Sequence, residues 1–307
     1  MQLNKAMSKT KKKKLASAVL ALSIAEILWG VNVPVIKLGL QTVPVPVFLS
    51  VTILCAGLLT APLAYRHWKP VKRKDHLLII IGSVLSISLG NVALLMGLQR
   101  IPSINASLIT LLGPFLLFIL SVEFLKERLS FRTFLGILIA FAGAAIVIGK
   151  PWEATASDQM VTGSLFVVLA VFCEVISTLM FKPLLKRIHP YQLTSLHLIW
   201  GIIPIAIYSL PYLYALSPGR TGRSGYLAIF FNIVLITIAN CLFYMGLRKK
   251  KAQEVGVFRY LHPMATAIAA WFILSEVPSN KVIIGAILIF LGIYYAEVKR
   301  TSKRLLF

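Results

Sequence analysis

Residues 91–98 read Asn-Val-Ala-Leu-Leu-Met-Gly-Leu, and residues 240–247 read Asn-Cys-Leu-Phe-Tyr-Met-Gly-Leu. The two segments begin 149 residues apart, and the same offset joins other infrequent residues of the two halves without a gap. The further pairs are Pro34 and Pro183, Lys37 and Lys186, Pro114 and Pro263, Glu127 and Glu276, Gly136 and Gly285, and Gly143 and Gly292. We infer an internal duplication, so the fold follows from what one repeat contains.

Each repeat consists mainly of long apolar segments. Hydrophobic residues make up 58% of the 307-residue chain and charged residues 14%. The segments are about 20 residues long, the length of a helix that crosses about 30 Å of hydrocarbon, and they lack the alternation of a transmembrane barrel. We therefore predict an all-α membrane protein with ten transmembrane helices, at residues 15–38, 44–64, 77–98, 103–122, 131–149, 162–181, 190–209, 225–246, 253–274 and 281–298.

Basic residues indicate the orientation of the chain. Of the 32 Lys and Arg residues, 25 lie on one side of the predicted membrane, in the tails 1–14 and 299–307 and in alternate loops, and six lie on the other side. Because cytoplasmic loops carry an excess of Lys and Arg, both termini are predicted to be cytoplasmic. The net charge of +22 therefore indicates contact with anionic lipid and needs no nucleic-acid partner.

Five helices in each repeat invert the second repeat relative to the first, because an odd number of crossings reverses its direction. We therefore predict a first repeat at 15–149 and a second at 162–298, related by a pseudo-two-fold axis in the membrane plane. Such inverted repeats are typical of secondary transporters. A structural subunit and a membrane enzyme are the other classes, although the sequence has no His-Glu-x-x-His, Gly-x-Ser-x-Gly or paired-cysteine motif. We expect no cofactor and no metal.

Several ionisable and amide side chains lie deep within the predicted spans, where such groups are costly and mark functional sites. They are Glu26, Asn91, Glu174, Asn240, Arg259 and His262. They come from helices of both repeats, as a cavity between the halves would require. Alternatively, one carboxylate and Arg259 form an ion pair that only locks two helices, and the asparagines form interhelical hydrogen bonds. Two acids and one base leave one carboxyl group over, which we expect to carry a proton.

Prolines and glycines of the spans predict hinges and close packing. Proline removes a backbone hydrogen bond and kinks or unwinds its helix, so the predicted hinges are Pro34, Pro114, Pro183 and Pro263. Glycines seven residues apart in the fifth and tenth spans predict close packing, in a monomer or in a homodimer through these helices. Glu127 and Glu276 are expected to pair with helix N-termini or to form gate contacts. His197 is expected to be an interior packing residue.

The run Trp29-Gly30-Val31-Asn32-Val33-Pro34 with Lys37 resembles the opening of EamA-type members of the drug/metabolite transporter superfamily. The pattern of Pro114, Glu127-Arg128-Leu129 and the paired glycines resembles the same family, and its second copy departs from it at Val277-Pro278. The resemblance covers residues 18–298 and implies a transporter with ten spans in two repeats.

The segment from Glu174 through Thr178 to Lys182 resembles the first helix of the small multidrug resistance proteins, which carry a membrane-embedded Glu and a Lys eight residues later. Glu26 and Trp29 resemble the Glu-x-x-Trp form of that helix. In that family the embedded Glu binds a proton or a cationic substrate alternately. The resemblance therefore implies proton-coupled export, with Glu174 as the best-matched proton carrier and Glu26 as the second. The two glutamates are 148 residues apart, so they need not occupy equivalent sites.

We therefore predict a secondary-active transporter of the cell membrane that exports small organic metabolites, such as amino acids, related zwitterions or amines, by proton-coupled alternating access. Glu174 and Glu26 would bind a proton or an ammonium group, and Arg259 would hold a carboxylate or pair with Glu26. The alternative is an efflux pump for cationic or aromatic drugs, although a fixed positive charge at Arg259 disfavours simple organic cations. The predicted substrate-binding residues are Glu26, Trp29, Asn32, Asn91, Glu174, Thr178, Asn240, Arg259 and His262.

Overall fold

A computed structural model describes residues 2–127, 131–148, 158–216 and 218–275, together with isolated positions between 284 and 295. These residues are helical and contain no strand, as predicted for an all-α protein. A π-helix (Val84–Gly90) joins α3 to α4, and a 3₁₀ helix (Leu210–Leu216) follows α9. The α-helices are α1 (Gln2–Gly39), α2 (Val45–Arg66), α3 (Arg73–Ser83), α4 (Asn91–Leu98), α5 (Ser103–Ile109), α6 (Leu112–Leu125), α7 (Phe131–Ile148), α8 (Asp158–Leu184), α9 (Pro190–Ser209), α10 (Pro218–Lys249), α11 (Ala252–Phe258) and α12 (Leu261–Leu274).

Eight segments of the described chain are long and apolar enough to cross a membrane, and they coincide with eight of the predicted spans. They are Ala16–Gly39, Val45–Arg66, Arg73–Leu98, Ser103–Leu125, Asp158–Leu184, Pro190–Tyr214, Arg220–Lys249 and Ala252–Leu274. The fifth predicted span coincides with α7, whose shorter apolar part is Phe131–Gly143. The tenth span, 281–298, is described only at isolated positions, among which Gly292 is buried, whereas Glu276 and Gly285 lie outside the described residues. The count of ten spans, the inverted repeats and the cytoplasmic termini therefore stay predictions.

The fourth and ninth predicted spans are each divided into two helices at equivalent places. Thr110 and Leu111 separate α5 from α6, and Arg259 and Tyr260 separate α11 from α12. Each end of α5 and α6 lies 149 residues before the corresponding end of α11 and α12. The residues in left-handed conformation that follow α6 and α12 keep the same offset: Lys126 (φ 53°) and Ser275 (φ 56°). The repeat seen in the sequence is therefore also present in the backbone of these two spans.

The four predicted hinge prolines have different effects on their helices. Pro114 and Pro263 follow the two breaks. Each lacks the amide hydrogen that would bond to the carbonyl four residues earlier, and those carbonyls belong to Thr110 and Arg259, which lie in the breaks. Pro34 and Pro183, by contrast, lie inside the continuous helices α1 and α8. In α1, the carbonyl freed by Pro34 accepts a hydrogen bond from the Thr266 hydroxyl of α12 at 3.0 Å. A neighbouring helix thus supplies the missing donor, and α1 continues.

The main helix pairings join one half of the chain to the other. Helix α1 packs against α10 and α12, α2 against α9, α4 against α8, and α6 against α11. The approach of α1 to α12 is close at Gly30, where a Cβ atom would lie 2.5 Å from the carbonyl oxygen of His262 and 2.7 Å from the Cβ atom of Ala265. Gly136 and Gly143 are buried, in agreement with their predicted packing role. The interleaved halves place both helix breaks beside the centre of the molecule.

Candidate functional site

A central cavity lies between the two halves, with a volume of about 160 Å³. This is roughly ten times the volume needed to hold one water molecule, so the cavity can hold a small organic molecule. Its walls come from α1, α2, the π-helix, α4, α5, α8, α9, α10, α12 and the two breaks, at Thr110 and at Arg259. All nine predicted substrate-binding residues line it: Glu26, Trp29, Asn32, Asn91, Glu174, Thr178, Asn240, Arg259 and His262. Their assignment to substrate binding stays a prediction.

The strongest charged contact in the cavity is a two-point ion pair between Arg259 and Glu174. The Arg259 Nη2 atom donates to Glu174 Oε1 at 2.6 Å, and Nη1 donates to Oε2 at 3.0 Å. The Arg259 side chain is 7% exposed, whereas that of Glu174 is 41% exposed. Arg259 therefore pairs with Glu174, and the predicted alternative of a pair with Glu26 is not formed. Arg259 lies in the break of the ninth span, with φ −59° and ψ −20°, and its side chain reaches across to α8.

Glu26 is the carboxyl group left over by this pairing. It is 1% exposed, and its Oε1 atom is buried without a hydrogen-bond partner among the described residues. The nearest basic group is His262, whose Nδ1 atom lies 3.9 Å from Glu26 Oε2. This separation is longer than a hydrogen bond. The two buried acids therefore have different surroundings, since only Glu174 is held by a guanidinium group.

Amide side chains line the cavity on several helices. Asn240 donates to the Ile236 carbonyl of its own helix at 2.8 Å, so its predicted interhelical hydrogen bond is not the one formed. An interhelical amide pair is formed elsewhere, where Asn232 Nδ2 donates to Asn32 Oδ1 at 3.0 Å. The sequence interpretation missed Asn232, although it lies eight residues before Asn240 on α10 and therefore on the same helical face. This pair joins α1 to α10 across the two halves.

His197 also lines the cavity, which the sequence interpretation did not anticipate. It is buried as expected, its Nδ1 atom lies 3.2 Å from Ser83 Oγ, and its ring packs edge-on against Phe181 and Tyr244. The aromatic wall continues through Phe243, whose ring centroid is 5.0 Å from that of Trp29. Among the residues that the structure describes, no group of three His, Cys, Asp or Glu side chains is placed to hold a metal ion.

On the side that carries the basic loops, two charged side chains bind helix ends, Glu127 across the two halves and Lys182 within the second half. The Glu127 carboxylate accepts hydrogen bonds from the backbone amides of Ala252 at 2.9 Å and Gln253 at 3.3 Å. Lys182 donates to the carbonyls of Leu247 and Lys250. An anion thus holds the amides that begin α11, and a cation holds the carbonyls at the end of α10, which matches the polarity of each helix end. Glu127 pairs with a helix N-terminus, as predicted, but with one of the other half.

The comparisons with known proteins agree with this architecture. The EamA-like transporter family matches residues 16–149 and 161–296. An uncharacterized transporter from Archaeoglobus fulgidus is 30% identical over 288 residues, which cover 92% of this chain and 98% of that protein. A protein from Rickettsia felis named S-adenosylmethionine uptake transporter is 24% identical over 262 residues, which cover 81% of this chain and 82% of that protein.

A solved structure adds evidence on the fold alone. A crystal structure at 17% sequence identity matches with a TM-score of 0.75 and covers 92% of this chain and 96% of that chain. The family match, by contrast, covers nearly the whole chain in two parts that correspond to the two repeats. The chain therefore belongs to the EamA-like transporter family.

Proposed function

We propose that this protein is a secondary-active transporter of the cell membrane that moves zwitterionic metabolites, such as amino acids, by proton-coupled alternating access. The observation that carries the proposal is the two-point Arg259–Glu174 ion pair inside a cavity between the two halves. A fixed guanidinium group suits a substrate carboxylate, because it offers two parallel donors to the two carboxylate oxygens. A carboxylate beside it suits an ammonium group.

A zwitterion can exchange with this ion pair without leaving a net charge. Its carboxylate would replace Glu174 on Arg259, and its ammonium group would bind the Glu174 carboxylate that has been released. The partial exposure of Glu174 and the burial of Arg259 support this order, since Glu174 is the partner that faces the open cavity. A substrate with only one of the two charges would leave one member of the pair buried and unpaired, at a cost of about 3–5 kcal/mol.

The name of the Rickettsia relative is consistent with this substrate class. S-adenosylmethionine, which that protein is named for taking up, contains an α-amino acid group. The direction we propose here is export, on the basis of the resemblance of the Glu174 helix to the small multidrug resistance proteins. Uptake of the substrate into right-side-out vesicles under an inward proton gradient would contradict the proposed direction.

The contacts of Glu127 and Lys182 support an alternating-access cycle. Both side chains lie at the end that the Lys and Arg distribution predicts to be cytoplasmic, and the Glu127 contact joins the two halves there. The cavity extends towards the opposite end, along Asn32 and Leu49. We propose that this conformation is open to the outside, and that release of the α10–α11 turn from Glu127 opens the cavity to the cytoplasm.

Counterflow in proteoliposomes tests the proposed substrate class. The panel compares an amino acid with its methyl ester, which lacks the carboxylate, and with its decarboxylated amine. We expect exchange of the zwitterion and at least an approximately 100-fold preference over both analogues, because each leaves a buried charge unpaired. Equal transport of the ester or the amine would contradict a zwitterion site. A lack of counterflow for every zwitterion of a broad amino-acid panel would remove the proposal.

Efflux of aromatic cations is the second candidate, and one feature of the cavity favours it. The tilted Trp29–Phe243 ring pair beside the partly exposed Glu174 could hold an aromatic cation. The same proteoliposomes, tested with a quaternary aromatic cation, separate the two functions. Transport of that cation without transport of amino acids would favour drug efflux.

A further inference from the structure

Glu26 and His262 form a second ionisable site in the cavity, separate from the Arg259–Glu174 pair. Glu26 lies on α1 and His262 on the first turn of α12, and their nearest side-chain atoms are 3.9 Å apart. Glu26 is almost fully buried, and one of its oxygens has no partner within the described chain. Both residues line the cavity. The site therefore combines a buried, unsatisfied carboxyl group with a basic ring within reach of it.

Glu26 has no hydrogen-bonded counter-charge among the described residues, although the Arg259 guanidinium is near enough to interact with it electrostatically. The titratable and charged side chains that line the cavity are Glu26, Glu174, His197, Tyr244, Arg259 and His262. Both Nη atoms of Arg259 donate to the Glu174 carboxylate. His197 faces Ser83 and aromatic rings instead. A bare buried carboxylate is costly, so Glu26 needs either its own proton or a protonated neighbour, and His262 is the neighbour that can provide one.

We propose that Glu26 and His262 share the coupling proton of the transport cycle as a single site. The coupling role rests on the proposed function, whereas the shared proton itself does not. One added proton gives either a carboxylic acid beside a neutral imidazole or a carboxylate beside an imidazolium. The proton moves between Glu26 Oε2 and His262 Nδ1 when the two side chains approach from 3.9 Å to hydrogen-bond distance. Release of this proton to solvent leaves the carboxylate beside a neutral imidazole. Proton and substrate thus bind at neighbouring but different groups.

Infrared difference spectroscopy of the purified protein in lipid tests the shared proton directly. The spectra follow the protonated-carboxyl band over a pH range of about 5 to 9. In Glu26→Gln the band assigned to this site should disappear, whereas Glu123→Gln, which removes an exposed carboxylate, should keep it. A band that is unchanged in Glu26→Gln would overturn the proposal, whether or not the protein transports amino acids.

His262→Gln distinguishes a shared proton from one that Glu26 holds alone. Two basic groups bind one proton more tightly than either does alone, so removal of the imidazole should move the midpoint of the band to lower pH. The band should also grow in amplitude, because the carboxyl group then holds the whole proton. His76→Gln, a histidine outside the cavity, should leave midpoint and amplitude unchanged. An unchanged midpoint in His262→Gln would show that His262 takes no part.

Transport measurements then test the coupling role. In Glu26→Gln, pH-driven accumulation of the zwitterion should be lost, whereas Glu123→Gln, at an exposed position outside the cavity, should accumulate the zwitterion like wild type. Substrate-induced proton release, followed with a pH-sensitive dye, should be lost in Glu26→Gln as well. Retention of pH-driven accumulation in Glu26→Gln would overturn the coupling role. A wild-type protein without zwitterion counterflow would instead contradict the proposed function and leave the spectroscopic result standing.

Discussion

The two helix breaks of this protein have the same backbone and different chemistry. Thr110 and Arg259 occupy equivalent positions, each at the start of a break between two helices of equal length in the two halves. The Thr110 hydroxyl donates to the carbonyl of Ser107, three residues earlier in its own segment, at 2.5 Å. Arg259 instead reaches α8 and binds Glu174. The two halves thus share the break, and the two breaks differ in the charge of the side chain that they carry.

This difference explains how a symmetric scaffold can hold an asymmetric substrate. Both halves contain a break at which one helix ends and the next begins, because Pro114 and Pro263 both disrupt helical hydrogen bonding. A two-fold symmetric cavity with the same charges on both sides would favour a symmetric ligand. With one arginine only among the residues that line the described cavity, the two ends of a zwitterion are distinguished.

Replacement of Arg259, the residue in which the two breaks differ, should have the largest effect on transport. In Arg259→Gln, zwitterion counterflow should fall at least about 100-fold, because the carboxylate loses its charged partner. Glu174 would also lose its counter-ion, but since its side chain is 41% exposed the cost in stability should be below about 3–5 kcal/mol, the cost for a fully buried pair. Counterflow and the thermal unfolding temperature in detergent measure the two effects.

The matched control is an ion pair at the surface. Arg187 binds Asp75 at 3.0 Å, but the Arg187 side chain is 53% exposed. Arg187→Gln should change stability by less than about 1 kcal/mol and leave counterflow intact, because exposed ion pairs contribute little. The double variant Arg259→Gln with Glu174→Gln should regain stability without transport. Transport by Arg259→Gln at the wild-type rate would show that the two breaks do not differ in function.

The second prediction concerns how tightly α1 packs on the break that carries Arg259. The approach depends on Gly30, whereas the equivalent residue of the other half is Leu179, which packs in a cluster with Leu117. Gly30→Ala should destabilise the protein by about 1–3 kcal/mol, since its Cβ would overlap the backbone of α12. Thermal unfolding measures the loss.

Gly57→Ala is the control for this substitution. A Cβ atom at Gly57 would find its nearest neighbour, the Cβ atom of Leu198, at 3.7 Å, which is ordinary van der Waals contact. Gly57→Ala should therefore be neutral or stabilise α2 by up to about 1 kcal/mol, as expected for glycine replacement within a helix. Equal stability of the two alanine variants would show that α1 has room to move away from α12.

Much of this architecture follows from the sequence because it depends on composition and on rigid residues. Apolar length predicted the eight spans that the described chain contains, and the prolines Pro114 and Pro263 predicted where two spans break. Both signals are local: a span needs about 20 apolar residues, and a proline disrupts the hydrogen bond of a known residue.

The partners within the site could not be predicted in the same way. The sequence predicts that Glu26, Glu174 and Arg259 all lie deep within their spans. Which carboxylate binds Arg259 depends on the rotation of α8 and of the break about their axes. One residue of helix changes direction by about 100°, so depth alone leaves the partner open. Asn232 was missed for a related reason, since its bond to Asn32 exists only once α1 and α10 are packed.

A third prediction tests the contact that holds α11 at the closed end. In Glu127→Gln, the amides of Ala252 and Gln253 lose a charged acceptor, which is worth about 1–2 kcal/mol. The closed end should open more often, so a thiol probe should label a cysteine introduced at Thr178 from the basic side up to about tenfold faster. Glu123→Gln, at an exposed position four residues earlier, should leave labelling unchanged. Slower labelling in Glu127→Gln would show that this contact does not close the cavity.

The smallest effect is expected at the break that lacks a charge. Thr110 lines the cavity, yet its hydroxyl bonds only to the backbone of its own segment. Thr110→Val keeps the shape of the side chain and removes that bond, so counterflow should stay within about threefold of wild type and stability within about 1 kcal/mol. Thr266→Val is the sharper comparison, because the Thr266 hydroxyl bonds to the Gly30 carbonyl of another helix and should cost more. A loss of counterflow above about tenfold in Thr110→Val would place Thr110 in substrate binding. Both breaks would then contribute to the site, and the division between a structural break and a charged one would be wrong.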